Sequence, residues 1–281
     1  MKYSAKFFQS IVRLTRAWNL LVLAFAQYFA AWFLIGIDVT RDLDLFLLAL
    51  STTLIAAGGY VINDYYDVKI DYINYPDRVV VGKTIHRRFA ILFHGALSLA
   101  GIAISIFLSW WIMAVNIFSV SLLWFYSNLL KRLPFVGNFA VALLTGLSIV
   151  VLDILYRVDN ILVIVYAVFA FFMTLVREII KDMEDLKGDN TFGCKTIPIV
   201  WGIRKTKIFV YFIIALFSFI VVFINQAYVH LQIIYFVMFL FIPLAWLVFQ
   251  LARADTKRDY RVLSSFCKVI MLLGILSMVL V

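Results

Sequence analysis

The chain has 281 residues, 65% of them hydrophobic and 15% charged, with a formal net charge of +9. A mean hydropathy of +1.01, and a charge content well below the ~25% of soluble domains, exclude a water-soluble globular protein. The pattern predicts a polytopic all-α membrane protein, and with no linker-like stretch the chain reads as one domain, 1–281.

Nine apolar spans follow in chain order, at about 17–37, 44–63, 88–109, 111–128, 136–153, 159–179, 206–225, 231–252 and 263–281. Each approaches the ~20 residues that cross about 30 Å of hydrocarbon. Of the 25 Lys and Arg, 23 lie with the amino terminus and the segments after even-numbered spans, and only Arg41 and Arg157 lie opposite. That asymmetry predicts that the amino terminus and the loops after even spans are cytoplasmic. The expected location is a prokaryotic plasma membrane. The positive charge then belongs to topology and to anionic membrane lipids, so no nucleic-acid partner is expected. Nothing in the sequence points to a protein partner. Span 1 reads as a retained helix rather than a cleaved signal, because eight further spans follow. Cys194 and Cys267 both fall on the cytoplasmic side, so no disulfide is expected.

Near the inner end of span 1, Asn19 in "TRAWNLL" is a polar residue of the kind that bonds a neighbouring helix or meets a ligand. Span 2 runs into "NDYYDVKID", where Asp64, Asp67 and Asp71 stand at i, i+3 and i+7, one face of a helix. Span 4 ends in "WFYSNLLKRLP", which brings the Tyr126 hydroxyl and the Lys131 ammonium to the same side of the membrane. Span 6 runs into "REIIKDMEDLKGD", where Asp182, Asp185 and Asp189 repeat the spacing 118 residues later. Four spans separate the triplets, so both lie at one membrane face. Arg177 and Lys181 precede the second triplet, one turn apart; an Arg fork and a Lys point charge suit diphosphate oxygens.

Either triplet alone could be a solvated helix end. Six carboxylates gathered together are tolerable where they line a wet cavity and hold cations. Hard oxygen ligands suit Mg²⁺, which takes one or two carboxylates and completes its shell with water and phosphate. Zinc is a poor fit, since His86, His94 and His230 are scattered and neither cysteine pairs with one at ligand spacing. Two matching triplets therefore predict a magnesium-bridged diphosphate. The 27 Phe, 14 Tyr and 7 Trp are individually ordinary packing residues. Together they suit an isoprenoid chain and could shelter an allylic cation. A secondary transporter also uses acids in repeated halves, but its sites lie near the bilayer midplane on broken helices. A CDP-alcohol phosphotransferase would carry a compact D-x2-D-G-x2-A-R pattern, which this sequence lacks.

"NDYYDVKIDYINYPDR" followed by "REIIKDMEDLKGD…GCKTIPI" resembles the UbiA superfamily of intramembrane prenyltransferases. Within it the chain is most similar to the group that makes digeranylgeranylglyceryl phosphate, over roughly Arg16 to Arg204. The resemblance implies nine transmembrane helices around a central cavity. It also implies Mg²⁺-dependent transfer of a prenyl group, such as geranylgeranyl, from a prenyl diphosphate donor to a lipid acceptor, geranylgeranylglyceryl phosphate. An aromatic acceptor, as in menaquinone or ubiquinone biosynthesis, is the alternative. By the same resemblance Asn63, Asp64, Asp67 and Asp71 form one metal–diphosphate site, and Asp182, Asp185 and Asp189 the other. Arg78, Lys131, Arg177 and Lys181 would contact the diphosphate, with Tyr126 and Asn19 near the reacting centre or the acceptor. The family's loop after the first motif reads close to "NRPDRPIPSGRIS" and helps close over the donor. Here it is "NYPDRVVVGKTIH", with one residue fewer before the glycine, Tyr75 in place of an Arg, and Val79 and Val81 in place of prolines. Ala17 likewise stands where the family often has a proline.

Overall fold

The computed structural model describes residues 2–77, 79–229 and 233–281. Among them all regular structure is helical, apart from one isolated bridge between Val81 and Ile85. The helices are α1 (Lys2–Leu14), α2 (Ala17–Ala30), α3 (Leu43–Asn74), α4 (Arg87–Ser105), α5 (Trp110–Asn128), α6 (Val136–Tyr156) and α7 (Ile161–Thr191), followed by α8 (Ile197–Trp201), α9 (Ile203–Ile224), α10 (Ile233–Phe236), α11 (Ile242–Arg253) and α12 (Lys257–Ser277). Eight of the described helical segments are long and apolar enough to cross a membrane, and Val237–Arg253 is a shorter apolar one. The expected span at 231–252 thus corresponds to α10, a widened turn at Val237–Phe241, and α11. Pro243 opens α11 and has no N–H to return to the preceding turn. Residues 230–232, His230 included, lie outside the described residues.

Two helices run well past the spans expected for them. The sequence places span 2 at 44–63 and span 6 at 159–179, with loops beyond, whereas α3 continues to Asn74 and α7 to Thr191. The hydropathy stops where the charges begin, but the helix does not, because no Pro or Gly lies between Tyr60 and Tyr75. At 1.5 Å per residue α3 is about 48 Å long, roughly 18 Å more than the hydrocarbon needs. Both acid triplets therefore sit on rigid helical extensions rather than on loops. Pro76 explains where α3 ends, since the residue before a proline is driven from helical geometry; the Tyr75 N–H still donates to Asp71 O at 2.8 Å.

The chain folds as two compact units, Met1–Tyr28 with Asp38–Lys131, and Phe29–Ile37 with Arg132–Val281. In the first, α3 packs against α4 and α5. A Cβ at Gly58 would stand 2.9 Å from Ser98 Oγ, and one at Gly59 2.8 Å from Leu123 Cδ2, so these two glycines set how closely the helices approach. Asn116 Nδ2 donates to Ser51 Oγ (2.8 Å), which donates to Gly101 O (2.7 Å), tying the three helices through buried polar groups. Helix α1 is amphipathic, burying Ser10 and Leu14 while Phe7 and Phe8 are exposed. Leu14 packs into a cluster with Val61, Val80, Val81, Ile85 and Ala90. The variant loop is thus a packed apolar turn. It is closed by Gly82 (φ +84°), whose N–H donates to Ile85 O at 2.8 Å, and joined to α1 by Ser10 Oγ to Thr84 Oγ1 at 3.0 Å.

In the second unit α7 packs against α6, α9 and α12. Met173, Ile179, Ile180, Val210, Phe217, Leu247 and Cys267 form its buried centre. Close van der Waals fit, rather than exclusion of water, holds such contacts at membrane depth.

Candidate active site

The last three turns of α3 carry Asn63, Asp64, Asp67 and Asp71, all half-buried, while the intervening Lys69 is exposed. Among the described residues, Arg16 and Lys131 reach this face. Arg16, at the α1–α2 junction with φ +50°, places Nη2 3.1 Å from Asp64 Oδ1 and its guanidinium 4.9 Å from the centre of the Tyr60 ring. Burial alone would lower the pKa of Arg16, but Asp64, Tyr60 and Asp71 together hold it above the ordinary value, so the side chain stays cationic. Lys131 Nζ lies 2.5 Å from Asp67 Oδ1, with the two side chains only 10% and 14% exposed. Lys131 comes from the short turn Leu130–Arg132 that follows α5.

Around these ion pairs, Asn19 Nδ2 donates to Tyr60 Oη at a long 3.4 Å. Tyr126 is half-buried in the last turn of α5. Asn63 Oδ1 is buried without a hydrogen-bond donor. Arg78, expected at the diphosphate, lies outside the described residues.

The corresponding extension of α7 carries Asp182, Asp185 and Asp189, again half-buried. Asn138 Nδ2, from the first turn of α6, donates to Asp182 Oδ2 at 2.8 Å. Arg177 is ion-paired with Glu178, and its Nε is buried with no acceptor. Lys181 is half-buried one turn later, and Lys195 is exposed beyond the helix. Glu184, on the opposite side of α7 from the aspartates by the helical period, is buried and pairs with Arg261 Nε of α12 at 2.9 Å. A succession of ring contacts runs from the start of α6 into the unit: Phe135–Phe139, Phe139–Phe171, Phe171–Phe172 and Phe172–Phe217, with centroids 5.2–5.9 Å apart.

Each triplet expected from the sequence is therefore brought onto one helical face with partners that spacing could not reveal. Arg16 lies 48 residues from Asp64, and Asn138 lies 44 residues from Asp182. The only signal for Asn138 was a lone amide in the apolar run "VGNFAVALL". Glu178 was the better hidden, because it continues the Asp182–Asp185–Asp189 face one turn earlier but reads as part of a basic segment.

Both donor sets are hard oxygens, and the orphaned Asn63 Oδ1 is a further acceptor awaiting a positive partner. Among the described residues, no three His, Cys, Asp or Glu side chains form a ready-made metal cage. Mg²⁺ does not need one, since it binds through one or two carboxylates and draws its other ligands from water and phosphate. The residues fit that ion. Cys194 and Cys267 are buried free thiols and take no part.

Known proteins resemble this chain in sequence and in fold. The chain is 35% identical to the digeranylgeranylglyceryl phosphate synthase of Korarchaeum cryptofilum over 240 residues, 84% of this chain and 85% of the relative. It is 36% identical to that of Methanoculleus marisnigri over 203 residues, 72% of each. With the Saccharolobus solfataricus synthase it shares 42% identity over 162 residues, a match spanning 57% of either chain. The fold matches a solved structure from work on digeranylgeranylglyceryl phosphate synthase in membranes, with a TM-score of 0.75 at 23% identity and 98% of both chains covered. It also matches a UbiA homolog from Archaeoglobus fulgidus bound to GPP and Mg²⁺, with a TM-score of 0.71 at 18% identity over 97% of this chain and 100% of the other. Residues 20–275 match the UbiA prenyltransferase family, and by that extent of agreement the chain belongs to it.

Proposed function

We propose that the protein transfers a geranylgeranyl group from its diphosphate to geranylgeranylglyceryl phosphate in the membrane, with Mg²⁺ as cofactor. The observation that carries this reading is the pair of helical extensions, each presenting three half-buried aspartates at matched spacing beside half-buried cations. The names of the relatives support the choice of acceptor.

Asp64, Asp67 and Asp71, with Asn63, and Asp182, Asp185 and Asp189 would hold Mg²⁺ on the donor diphosphate. When bound, Mg²⁺ supplies Lewis acidity that stabilises charge on the leaving diphosphate. Lys131 beside the first motif, and Arg177 and Lys181 beside the second, would add fixed positive charge to diphosphate oxygens, and Arg78 is expected to join them. The allylic C–O bond breaks with its electron pair leaving on the diphosphate. The acceptor hydroxyl oxygen bonds the allylic carbon and loses its proton to the departing diphosphate. Tyr126 and Asn19 orient the reacting groups, and the apolar spans keep out water that would otherwise capture the cation as a free alcohol. The 23-to-2 asymmetry of Lys and Arg supports an active site opening to the cytoplasm with the amino terminus inside.

The test is an acceptor competition in membranes containing the protein. Radiolabelled geranylgeranyl diphosphate and MgCl₂ are offered with geranylgeranylglyceryl phosphate against dihydroxynaphthoate or 4-hydroxybenzoate. The doubly prenylated glyceryl phosphate is the expected product. A prenylated aromatic would overturn the acceptor, and the absence of any magnesium-dependent product would overturn the reaction class.

A further inference from the structure

We propose that Asn138 is a positioning residue for the second carboxylate motif, holding one oxygen of Asp182 so that the other is presented to the metal–diphosphate. This rests on the reading of the α7 aspartates given above. Asn138 is 7% exposed and is the third residue of α6. Its Nδ2 donates to Asp182 Oδ2 at 2.8 Å.

The backbone that delivers Asn138 is strained. Phe135 has φ 66° and ψ −40°, and the Val136 N–H donates to Pro134 O at 2.8 Å. A hydrogen bond across two residues with the central φ positive is the rare hand of the γ-turn. For a bulky aromatic such a conformation is unfavourable and persists only where its surroundings enforce it. They do so here: the Phe135 ring packs edge-on against Phe209, 5.7 Å between centroids, and lies 5.9 Å from Phe139. The Lys195 N–H, just beyond α7, donates to Arg132 O at 2.8 Å and ties the same turn down.

Helix packing does not call for the amide. Further along α6, Ala142 is fully buried, and a Cβ at Gly146 would stand 3.2 Å from Ala167 O, so small residues already bring α6 and α7 into close contact. What Asn138 adds is chemical. A neutral amide fixes the carboxylate's rotamer and leaves its charge intact for a cation. Lys131 and Arg16 instead neutralise the carboxylates that they touch. Partners of this kind behind a metal ligand typically account for 10–100-fold in metal affinity or activity.

The experiment uses the full chain in detergent. The readout is the MgCl₂ concentration giving half-maximal thermal stabilisation in the presence of geranylgeranyl thiolodiphosphate, an unreactive donor analogue. Asn138→Leu is expected to raise that concentration about 10–100-fold, with the magnesium-free unfolding temperature unchanged. Asn138→Gln, which keeps the amide, is expected to recover most of the loss. If Asn138→Leu does not fold, Asn138→Ala is read in the same way. An unchanged magnesium response in the Leu or Ala variant overturns the proposal. So does an equal loss in the Gln variant with a lowered magnesium-free unfolding temperature, which would make the residue structural only. Asp182→Ala separates the two layers: wild-type magnesium stabilisation in that variant overturns the reading of the site itself. Its loss there, with Asn138→Leu unaffected, overturns only the role of Asn138.

Discussion

Replacing Lys131 by Met removes an ammonium lying 2.5 Å from Asp67 Oδ1, where the two side chains are 10% and 14% exposed. At an effective dielectric of about 20 the gross attraction is about 7 kcal/mol. Withdrawing two ions from water costs several kcal/mol each, so the intact pair contributes little net stability, whereas stranding one partner costs about 3 kcal/mol. For a protein of this size that corresponds to a fall of roughly 6–12 °C in unfolding temperature. The double variant Asp67→Asn, Lys131→Met strands no charge and should return to within about 1 kcal/mol of the parent. The assay heats magnesium-free protein in detergent and measures by size-exclusion chromatography how much survives at each temperature. A Lys131→Met variant as stable as the parent, or a double variant no better than Lys131→Met alone, would refute the claim that this pair is desolvated and coupled.

Asp182→Ala should leave the protein folded and lower prenyl transfer about 10³-fold, the loss of about 4 kcal/mol of charge stabilisation in the transition state; product formation in membranes checks it. Two glycines on α4 should respond with opposite sign. Gly101→Ala would force a Cβ to 2.6 Å from Ile55 Cγ1 and 3.0 Å from Ser51 O, costing about 1–3 kcal/mol. Gly95→Ala meets nothing within 4 Å and should stabilise by about 0.5–1 kcal/mol; both are read from thermal unfolding. Deleting α1 would uncover Val80, Val81 and Ile85, which are at most 4% exposed, and should make the 76–86 segment a new site of proteolytic cleavage, mapped by mass spectrometry.

Much of this site was legible because acids are rare in so apolar a chain. Asp64, Asp67 and Asp71 could be placed on one face by counting residues, and the 118-residue echo at Asp182 pointed to a second candidate site of the same kind. What counting could not supply were contacts between distant residues. Glu184 meets Arg261 77 residues on, and nothing in "KDMED" or "KRDYR" marks them as partners. Hydropathy also misplaced the ends of α3 and α7, because it follows the polarity of side chains while the helix continues wherever backbone geometry permits. The segment "VVVGKTI" reads as a loop from its position. Only its burial beneath Leu14 shows why three valines in a row suit that position.

The ion pairs on α3 also bear on how a cycle of catalysis would end. Arg16 and Lys131 already occupy carboxylate oxygens of Asp64 and Asp67. Under the proposed function, loading the site would be an exchange in which resident side chains give way, and discharge would be the reverse, with the same side chains returning to their carboxylates. A returning tethered cation competes for the oxygens at high effective concentration, which weakens the hold on spent diphosphate and shortens its stay. Under the proposed function Arg16, which is not among the diphosphate-binding cations, would set the pace of product departure, and removing it would yield an enzyme prone to stalling on its own by-product.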